Sequence, residues 1–248
     1  QWWAGQGWLA KENNIKEYLK QWGIKAPIEY AWHHHAHAAY GYYTSGFDNA
    51  TILCMDSIGE WECLTIWKGE GDKLTKVYSQ RYPHSVGLFY SAMTQRCGLV
   101  PNKDEYKIAG MAKEGTDSYV GLVKKELIED DLNGYVPGVH FKHNLHRGAN
   151  WLLPECKDNN NMAYATQAIY EEILDSNLKY CLRNFPSRNL IITGGCALNK
   201  QANQSIESDW DNLYVPKNPG DPGSCIGGVA SKLKKHLDYS DKIWYNKV

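Results

Sequence analysis

The 248-residue sequence predicts an α/β fold. In its second half, a strand, a glycine-rich turn and a helix follow one another twice, which is typical of an α/β half-domain that binds its ligand at the carboxyl edge of the sheet. In its first half, helical patterns flank a group of short apolar strands. The length is sufficient for a substantial core, either in one large domain or in two lobes.

The first half begins with two helical patterns, a loosely periodic one over residues 7–22 and a second over the histidine-rich run at 33–39. Three short apolar runs then predict strands, and the Gly-Glu-Gly-Asp turn before the last of them favours an antiparallel meander. These strands are predicted over residues 50–55, 62–67 and 74–79. Helices over residues 86–97 and 106–112 follow.

Residues 130–160 are rich in Asn, Asp, Gly and Pro and have few apolar anchors, which indicates an irregular insertion or a boundary between lobes. The longest helix is predicted next, over residues 162–182. The remaining elements are predicted as a strand over 189–193, a helix over 197–208, a strand over 213–215 and a helix over 225–237. We therefore expect a first lobe over residues 1–130, an insertion over 131–160 and a second lobe over 161–248.

Composition argues against several classes of protein. The formal net charge of −1, from 27 Lys and Arg against 28 Asp and Glu, gives no overall attraction to nucleic acid. No apolar stretch approaches the roughly 20 residues that cross a bilayer. The seven cysteines are scattered and never spaced as CxxC, which argues against a disulfide framework and favours a reducing, cytoplasmic location. The sequence starts without an initiator methionine or a signal-peptide pattern, so we expect its natural beginning to be missing.

Four histidines within five residues, at positions 33, 34, 35 and 37, are the most informative feature. On a helix, His33 and His37 are four residues apart and share a face, close enough to bind one ion. His34 and His35 lie at steps of about 100° from that face, so at most one of them can approach the same site. The alternative is a helix with buried, hydrogen-bonded histidines. A metal or anion site is favoured, and its third ligand has to come from elsewhere in the chain.

Two glycine-rich loops of the second half are candidates for the rest of the site. Gly194 and Gly195 join a buried strand to a helix, where glycine lets the backbone approach a ligand and the helix N-terminus offers N–H groups to an anion. A plain tight turn explains the two glycines equally well. In the loop at 218–224, Asp221 is either a cap or turn residue or the carboxylate that completes the histidine site.

Six groups of segments resemble, in order along the chain, the motifs of the O-carbamoyltransferases of antibiotic and nodulation-factor biosynthesis. With the family patterns in parentheses, they are residues 33–39 (HHxxHAA), 45–47 with 56–61 (SGF and DGxGEW), 83–92 (PxSxGxFY), 105–112 (EYKxMGLA), 193–199 (GGxALN) and 220–224 (the start of GDxGxxxG). The collinear set is far more specific than any one match. The sequence therefore resembles the amino-terminal, metal-binding transfer domain of this family.

The resemblance implies a two-lobed, actin-like (ASKHA-type) fold with mixed sheets flanked by helices, its first lobe incomplete at the N-terminus. It also implies a divalent ion, Fe(II) above all, bound by His33, His37 and Asp221. Zn(II) and Mn(II) are compatible with the same ligand types. In this family, carbamoyl phosphate and ATP are combined into carbamoyl-adenylate at a YrdC-like domain, which we expect this chain to lack. A hydroxyl acceptor then attacks the carbamoyl-adenylate at the metal-bearing cleft.

The family's chemistry suggests roles for further residues. The expected nucleotide-binding residues are Gly194, Gly195, Asn199, Gly220 and Gly223. His34 is the candidate general base or oxyanion donor, since an imidazole can act either way near neutral pH. Asp56 is expected to orient the acceptor or a metal-bound water, and turn geometry is its alternative role. Lys107 offers a positive charge to an anion, unless it is an ordinary surface lysine.

The family's opening histidine segment is not found in this sequence. We therefore expect the 248 residues alone to bind metal and nucleotide but not to consume carbamoyl phosphate. Two alternatives stay open, a threonylcarbamoyl-type subunit with a basic face for tRNA and an inactive nucleotide-binding relative. The acceptor is a small molecule such as a sugar or an antibiotic scaffold, or a hydroxymethylated nucleobase. No membrane partner and no other nucleic acid is expected, and a homodimer stays open.

Overall fold

A mixed sheet of six strands organises residues 32–248 in the computed structural model, which describes residues 15–206, 210–238 and 244–246. The strands are β1 (Asn49–Gly59), β2 (Glu62–Glu70), β3 (Lys73–Arg81), β4 (Asn189–Thr193), β5 (Asn212–Tyr214) and β6 (Trp244–Asn246). Their order in the sheet is β3-β2-β1-β4-β5-β6. The first three form the predicted antiparallel meander, whereas β4 runs parallel to β1 and β5 parallel to β4. The predicted α/β class, with a mixed sheet flanked by helices, is confirmed.

Residues 1–31 form a separate unit. Helix α1 (Ile15–Gln21) belongs to it and covers the end of the helix predicted over 7–22, whose first part lies outside the described residues. The helices of residues 32–248 are α2 (His33–Ser45), α3 (Val86–Arg96), α4 (Glu105–Ala112), α5 (Val120–Leu127), α6 (Asn159–Asn184), α7 (Lys200–Gln204) and α8 (Ser224–Leu233). None of the described helices has the length and the apolar character that crossing a bilayer requires.

Two of these helices differ from the predicted bounds because side chains cap them. Helix α6 begins earlier than predicted, because the Asp158 carboxylate accepts hydrogen bonds from the backbone N–H groups of Asn160 and Asn161 at 2.8 and 3.0 Å. The helix predicted over 197–208 is instead a 3₁₀ turn followed by the short helix α7. Asn199 separates the two, since its side chain accepts a hydrogen bond from the N–H of Ala202 at 3.1 Å.

The predicted irregular segment over 131–160 has one 3₁₀ turn (Leu145–Arg147) within it and the first turn of α6 at its end. Arg96 of α3 holds its later part, donating hydrogen bonds to the carbonyl oxygens of Leu152, Leu153 and Cys156 at 2.7 to 2.8 Å. A single guanidinium thus binds three carbonyl groups of a segment that has little regular secondary structure. Strands before and after this segment belong to the same sheet.

The core lies on both faces of the sheet, as the alternation of side chains along β1 shows. Leu53 and Met55 pack into a cluster that includes Phe89 of α3, whereas Ile52 packs on the other face with Tyr42 of α2. Strand β1 is therefore buried on both sides, which explains its long apolar run. All seven cysteines fall within the described residues and are free thiols, and Cys225 is the exposed one.

Helix α2 is enclosed between the sheet and α8. A Cβ atom added at Gly41 would lie 2.7 Å from Ile191 of β4, and one added at Gly227 of α8 would lie 1.8 Å from the carbonyl oxygen of Ala36. The backbones of α2 and α8 therefore touch, which is possible only without a side chain at Gly227. The neighbouring Gly228 has open space around it.

This contact predicts opposite effects for two adjacent glycines of α8. Gly227→Ala should lower the free energy of unfolding by about 1–3 kcal/mol, because the added methyl group overpacks the contact with Ala36. Gly228→Ala should leave stability unchanged or raise it by up to about 1 kcal/mol, because alanine favours a helix more than glycine does. Thermal and urea unfolding of the two variants measure the difference. Equal stabilities would contradict the close backbone contact.

Candidate metal centre and adjoining cleft

Three parallel strands end at one edge of the sheet and bring polar residues of distant sequence together. The last residue pair between β1 and β4 is Cys54 with Thr193, and Asp56 lies two residues further along β1. Gly195 follows β4, and Asp221 lies in the loop after β5. Because the carboxyl ends of parallel strands meet at one edge, these residues surround one cleft.

Helix α2 begins at this edge with its histidines, as predicted for the run. Its first backbone N–H, that of His33, donates to the carboxylate of Glu60 at 3.2 Å, which anchors the start of the helix to the β1–β2 turn. The Nε2 atoms of His33 and His37 lie 3.0 Å apart, and His37 is fully buried. The i, i+4 spacing thus presents two imidazole nitrogens to one point.

Two carboxylates approach the same point. The Nε2 atom of His33 lies 2.9 Å from Oδ2 of Asp56 and 3.2 Å from Oδ1 of Asp221. The Nε2 atom of His37 lies 3.4 Å from each of these oxygens. All four atoms are within 4.8 Å of one another. The structure therefore brings Asp221 to both histidines and adds Asp56 to the group.

The spacing of these four atoms fits one divalent ion. Ligand atoms about 2.1 Å from an ion lie about 3.0 Å apart at right angles and about 3.4 Å apart at the tetrahedral angle. The five pairs that involve a histidine nitrogen span 2.9 to 3.4 Å, which is close to this interval. Two imidazoles and two carboxylates are ligands that suit Fe(II), Zn(II) and Mn(II) alike.

Neighbouring groups orient the candidate ligands. The Nδ1 atom of His37 lies 3.4 Å from Oγ of Ser224 in α8, and this contact directs the other ring nitrogen, Nε2, at the cluster. The second carboxylate oxygen of Asp56, Oδ1, accepts a hydrogen bond from the N–H of Ser57 at 2.8 Å. Both groups are thus held in the orientation that an ion would need.

The electrostatics keep Asp56 ionised. Burial alone would raise the pKa of its carboxyl group, but hydrogen bonds from His33 and His37 hold that pKa well below the usual range. The hydrogen bond to Asp56 in turn raises the pKa of His33, against the opposing effect of burial. The cluster therefore contains a buried carboxylate anion that depends on hydrogen bonds from the neighbouring imidazoles.

The cluster opens into a cleft of about 910 Å³, to which Asp56 and Asp221 contribute. Its lining comes from α3, α4 and the turn between them, and from the 3₁₀ turn after β4 and the start of α7. The lining residues besides Tyr170 lie within the segments 56–58, 87–91, 102–109, 195–201 and 220–222. Such a volume is that of a small-molecule or cofactor site.

The sequence of residues 9–230 matches the family described as Carbamoyltransferase N-terminus. The chain belongs to this carbamoyltransferase family. The resemblance drawn from the six groups of motifs is thereby confirmed.

The chain is also similar to individual proteins over most of its length. The chain is 31% identical over 261 residues to the uncharacterized protein sll1178 of Synechocystis sp., covering 94% of this chain and 42% of that protein. It is 24% identical over 216 residues to the nodulation protein NolO of Bradyrhizobium diazoefficiens, covering 81% and 38%. The crystal structure of HypF from T. kodakarensis superposes with a TM-score of 0.48 at 12% identity, covering 90% of this chain and 39% of that one. The chain spans less than half the length of these proteins.

The five residues that were predicted to bind the nucleotide fall into two groups by their position. Gly195, Asn199 and Gly220 line the cleft. Gly194 and Gly223 do not, and close packing explains both glycines. A Cβ atom at Gly194, whose φ is +88°, would lie 2.1 Å from the carbonyl oxygen of Met55, and one at Gly223 would lie 2.2 Å from that of Asn218.

Two of the predicted catalytic residues, His34 and Lys107, are not on the cleft. His34 is fully buried, its Nδ1 atom lies 3.0 Å from Oγ1 of Thr65, and burial lowers its pKa to about 4. Lys107 is exposed and pairs with Asp104 at 2.9 Å. The lysines that line the cleft are Lys103 and Lys200, which the motif comparison passed over.

Asp56, the third predicted catalytic residue, was expected to orient the acceptor or a metal-bound water. It lies in the cluster beside His33 and His37, as a further candidate metal ligand. The signal that could have indicated this was a carboxylate directly after a buried parallel strand, at the edge where the glycine turn also lies.

We expect the chain to bind one divalent ion at this cluster. His37→Ala and Asp56→Asn should each weaken binding of Mn²⁺ or Zn²⁺ by at least about 10-fold. Even the loss of a residue that only hydrogen-bonds to a metal ligand typically lowers metal affinity by about this factor. Isothermal titration measures the affinity. His35→Ala is the matched control, since His35 belongs to the same run but stacks on Trp67 at a centroid distance of 5.2 Å. Equal affinities of the His37 and His35 variants would contradict the site.

A second prediction concerns the glycine turn. A Cβ atom at Gly195 would lie 2.8 Å from Oδ1 of Asp56, whereas one at Gly220 would meet only ordinary contacts of 3.7 Å and more. Gly195→Ala should therefore displace the Asp56 carboxylate and weaken metal binding several-fold, whereas Gly220→Ala should bind metal like the wild type. Identical titrations of the two variants would show that the turn does not support Asp56.

Proposed function

We propose that this chain carries the transfer site of an O-carbamoyltransferase, which moves a carbamoyl group from carbamoyl-adenylate to the hydroxyl group of a small-molecule acceptor. The observation that supports this best is the cluster of His33, His37, Asp56 and Asp221 at the end of a cleft large enough for a nucleotide. Family membership supplies the type of group transferred.

In the proposed step, the acceptor oxygen forms a bond to the carbamoyl carbon. The bond between that carbon and the phosphate oxygen breaks, and AMP leaves with its electron pair. The hydroxyl proton is released to a base. The products are a carbamate ester, AMP and one proton, so atoms and charge balance.

A divalent ion held by the four-residue cluster would supply positive charge for the phosphate and the carbonyl group. Residues of the chain itself would attract the nucleotide and accept the hydroxyl proton. Lys103 and Lys200, the two lysines that line the cleft, would attract the negatively charged nucleotide. Asp221, with three-quarters of its side chain exposed, would accept the hydroxyl proton through the oxygen that does not face the histidines. The buried His34 has no part in this scheme.

We assign only the transfer step to this cleft. Formation of carbamoyl-adenylate from carbamoyl phosphate and ATP requires a second site, and we propose that this site lies outside the 248 residues. Because the two steps are assigned to separate sites, the transfer step can be tested alone by supplying carbamoyl-adenylate directly.

The metal-loaded chain should release AMP from carbamoyl-adenylate faster when a suitable hydroxyl compound is present. A panel of sugars, aminocyclitols and hydroxymethyl nucleosides provides acceptors, and mass spectrometry detects the gain of one carbamoyl group. His37→Ala should abolish the acceptor-dependent rate and His35→Ala should retain it. Since loss of a catalytic metal ligand removes several kcal/mol of transition-state stabilisation, the expected difference is at least about 100-fold.

Two results would refute this function. One is AMP release that is the same with and without acceptor and is unaffected by His37→Ala. The other is a carbamoyl-type product formed only on tRNA, which would favour the threonylcarbamoyl-type alternative.

A further inference from the structure

Glu105, at the start of α4, presents a fixed carboxylate to the cleft. Its Oε1 atom accepts a hydrogen bond from Oγ of Ser91 at 2.7 Å and one from the backbone N–H of Asn102 at 2.6 Å. All three residues line the cleft. Within the described part of the chain, the other oxygen, Oε2, takes part in no hydrogen bond. One oxygen is therefore used for positioning and the other remains an acceptor for a ligand.

The turn before α4 is built to hold this carboxylate in place. Asn102 adopts a φ of +61°, an uncommon conformation that its hydrogen bond to Glu105 helps to maintain. Asp104 closes the same turn by accepting a hydrogen bond from the N–H of Val100 at 3.1 Å and by pairing with Lys107. The side chain of Glu105 is thus pre-organised, and a ligand would not have to order it.

The position of Glu105 relative to the metal cluster suggests what it binds. Gly87 of α3 packs against Ser57, the neighbour of Asp56, since a Cβ atom at Gly87 would lie 2.7 Å from the nitrogen of Ser57. Ser91 is four residues further along α3, which corresponds to about 6 Å of helix. Glu105 is therefore connected to the metal end of the cleft through about one turn of α3 and its hydrogen bond to Ser91. A nucleoside 5′-phosphate with its phosphate at the metal end extends its ribose over a distance of this order.

We propose that Glu105 binds the ribose hydroxyl groups of the adenylate, which donate hydrogen bonds to Oε2. An ionised carboxylate accepts hydrogen bonds and donates none, so a neighbouring pair of hydroxyl groups suits it and a phosphate does not. This assignment rests on the proposed function. A sugar acceptor offers the same chemistry, but its reacting hydroxyl has to lie next to the carbamoyl carbon at the metal end.

The test compares two nucleotides on two proteins. The metal-loaded wild-type chain and its Glu105→Gln variant are titrated with AMP and with 2′,3′-dideoxy-AMP. In the variant, the amide can still accept hydrogen bonds from Ser91 and Asn102, but it turns an N–H donor toward the ribose. Because a hydrogen bond to a charged group is strong, the substitution should weaken AMP binding by about 10- to 100-fold. It should change the binding of dideoxy-AMP by less than about 2-fold.

Glu114→Gln is the matched control, because Glu114 is exposed, close in sequence and outside the cleft. It should bind both nucleotides like the wild type. Ser91→Ala, which frees Glu105 from one donor, should weaken AMP binding by a smaller factor and leave dideoxy-AMP unaffected.

Three outcomes would overturn the assignment. If Glu105→Gln binds AMP normally while acceptor-dependent transfer falls, the carboxylate serves the acceptor and not the ribose. If the substitution weakens both nucleotides equally, its effect is not on the hydroxyl groups. If the wild-type chain binds no AMP at all, the nucleotide cleft of the proposed function fails together with the ribose contact.

Discussion

The parallel pairing of β1 with β4 and of β4 with β5 is the constraint on which the site depends. It aligns the carboxyl ends of three strands whose sequences are far apart, and each end supplies one part of the site. β1 leads to Asp56, β4 to the glycine turn, and β5 to the loop that carries Asp221. The hydrogen bond from the N–H of Gly194 to the carbonyl oxygen of Pro219 at 2.9 Å ties the second and third of these connections together. Sheet register and this contact between the loops therefore act together to set the distance between the two carboxylates.

The positions of His33 and His37 are well defined because the helix that carries them is buried. Helix α2 is held by the sheet on one side and by α8 on the other, and Glu60 anchors its first N–H. Thr193 at the end of β4 contributes a hydrogen bond to the carbonyl oxygen of His37 at 3.3 Å. A ligand pair on a rigid, enclosed helix needs little reorganisation when an ion binds. The same enclosure removes water from Asp56, which strengthens its hydrogen bonds to the imidazoles.

Local patterns were sufficient to predict five of the six described strands, most of the helices and the shared face of His33 and His37, whereas β6 was not predicted. They could not predict which side chain would turn toward the cleft. At steps of 100°, His34 and His35 were equivalent candidates, and tertiary contacts directed both away, His34 to Thr65 and His35 to Trp67. Lys107 fitted the family pattern, but its pairing with Asp104 fixed it outside the cleft. The cap at Asn199 likewise divided a helix that apolar periodicity alone would continue.

The distribution of thiols has a practical consequence for experiments on this molecule. Six of the seven cysteines are buried or half-buried, whereas Cys225 is exposed at the start of α8. Its neighbour Ser224 lies against His37, and Asp221 is four residues earlier. A thiol-reactive fluorophore or spin label would thus attach selectively at the mouth of the metal centre without any engineered cysteine. The chain carries its own attachment point for spectroscopy beside the group of residues whose occupancy matters most.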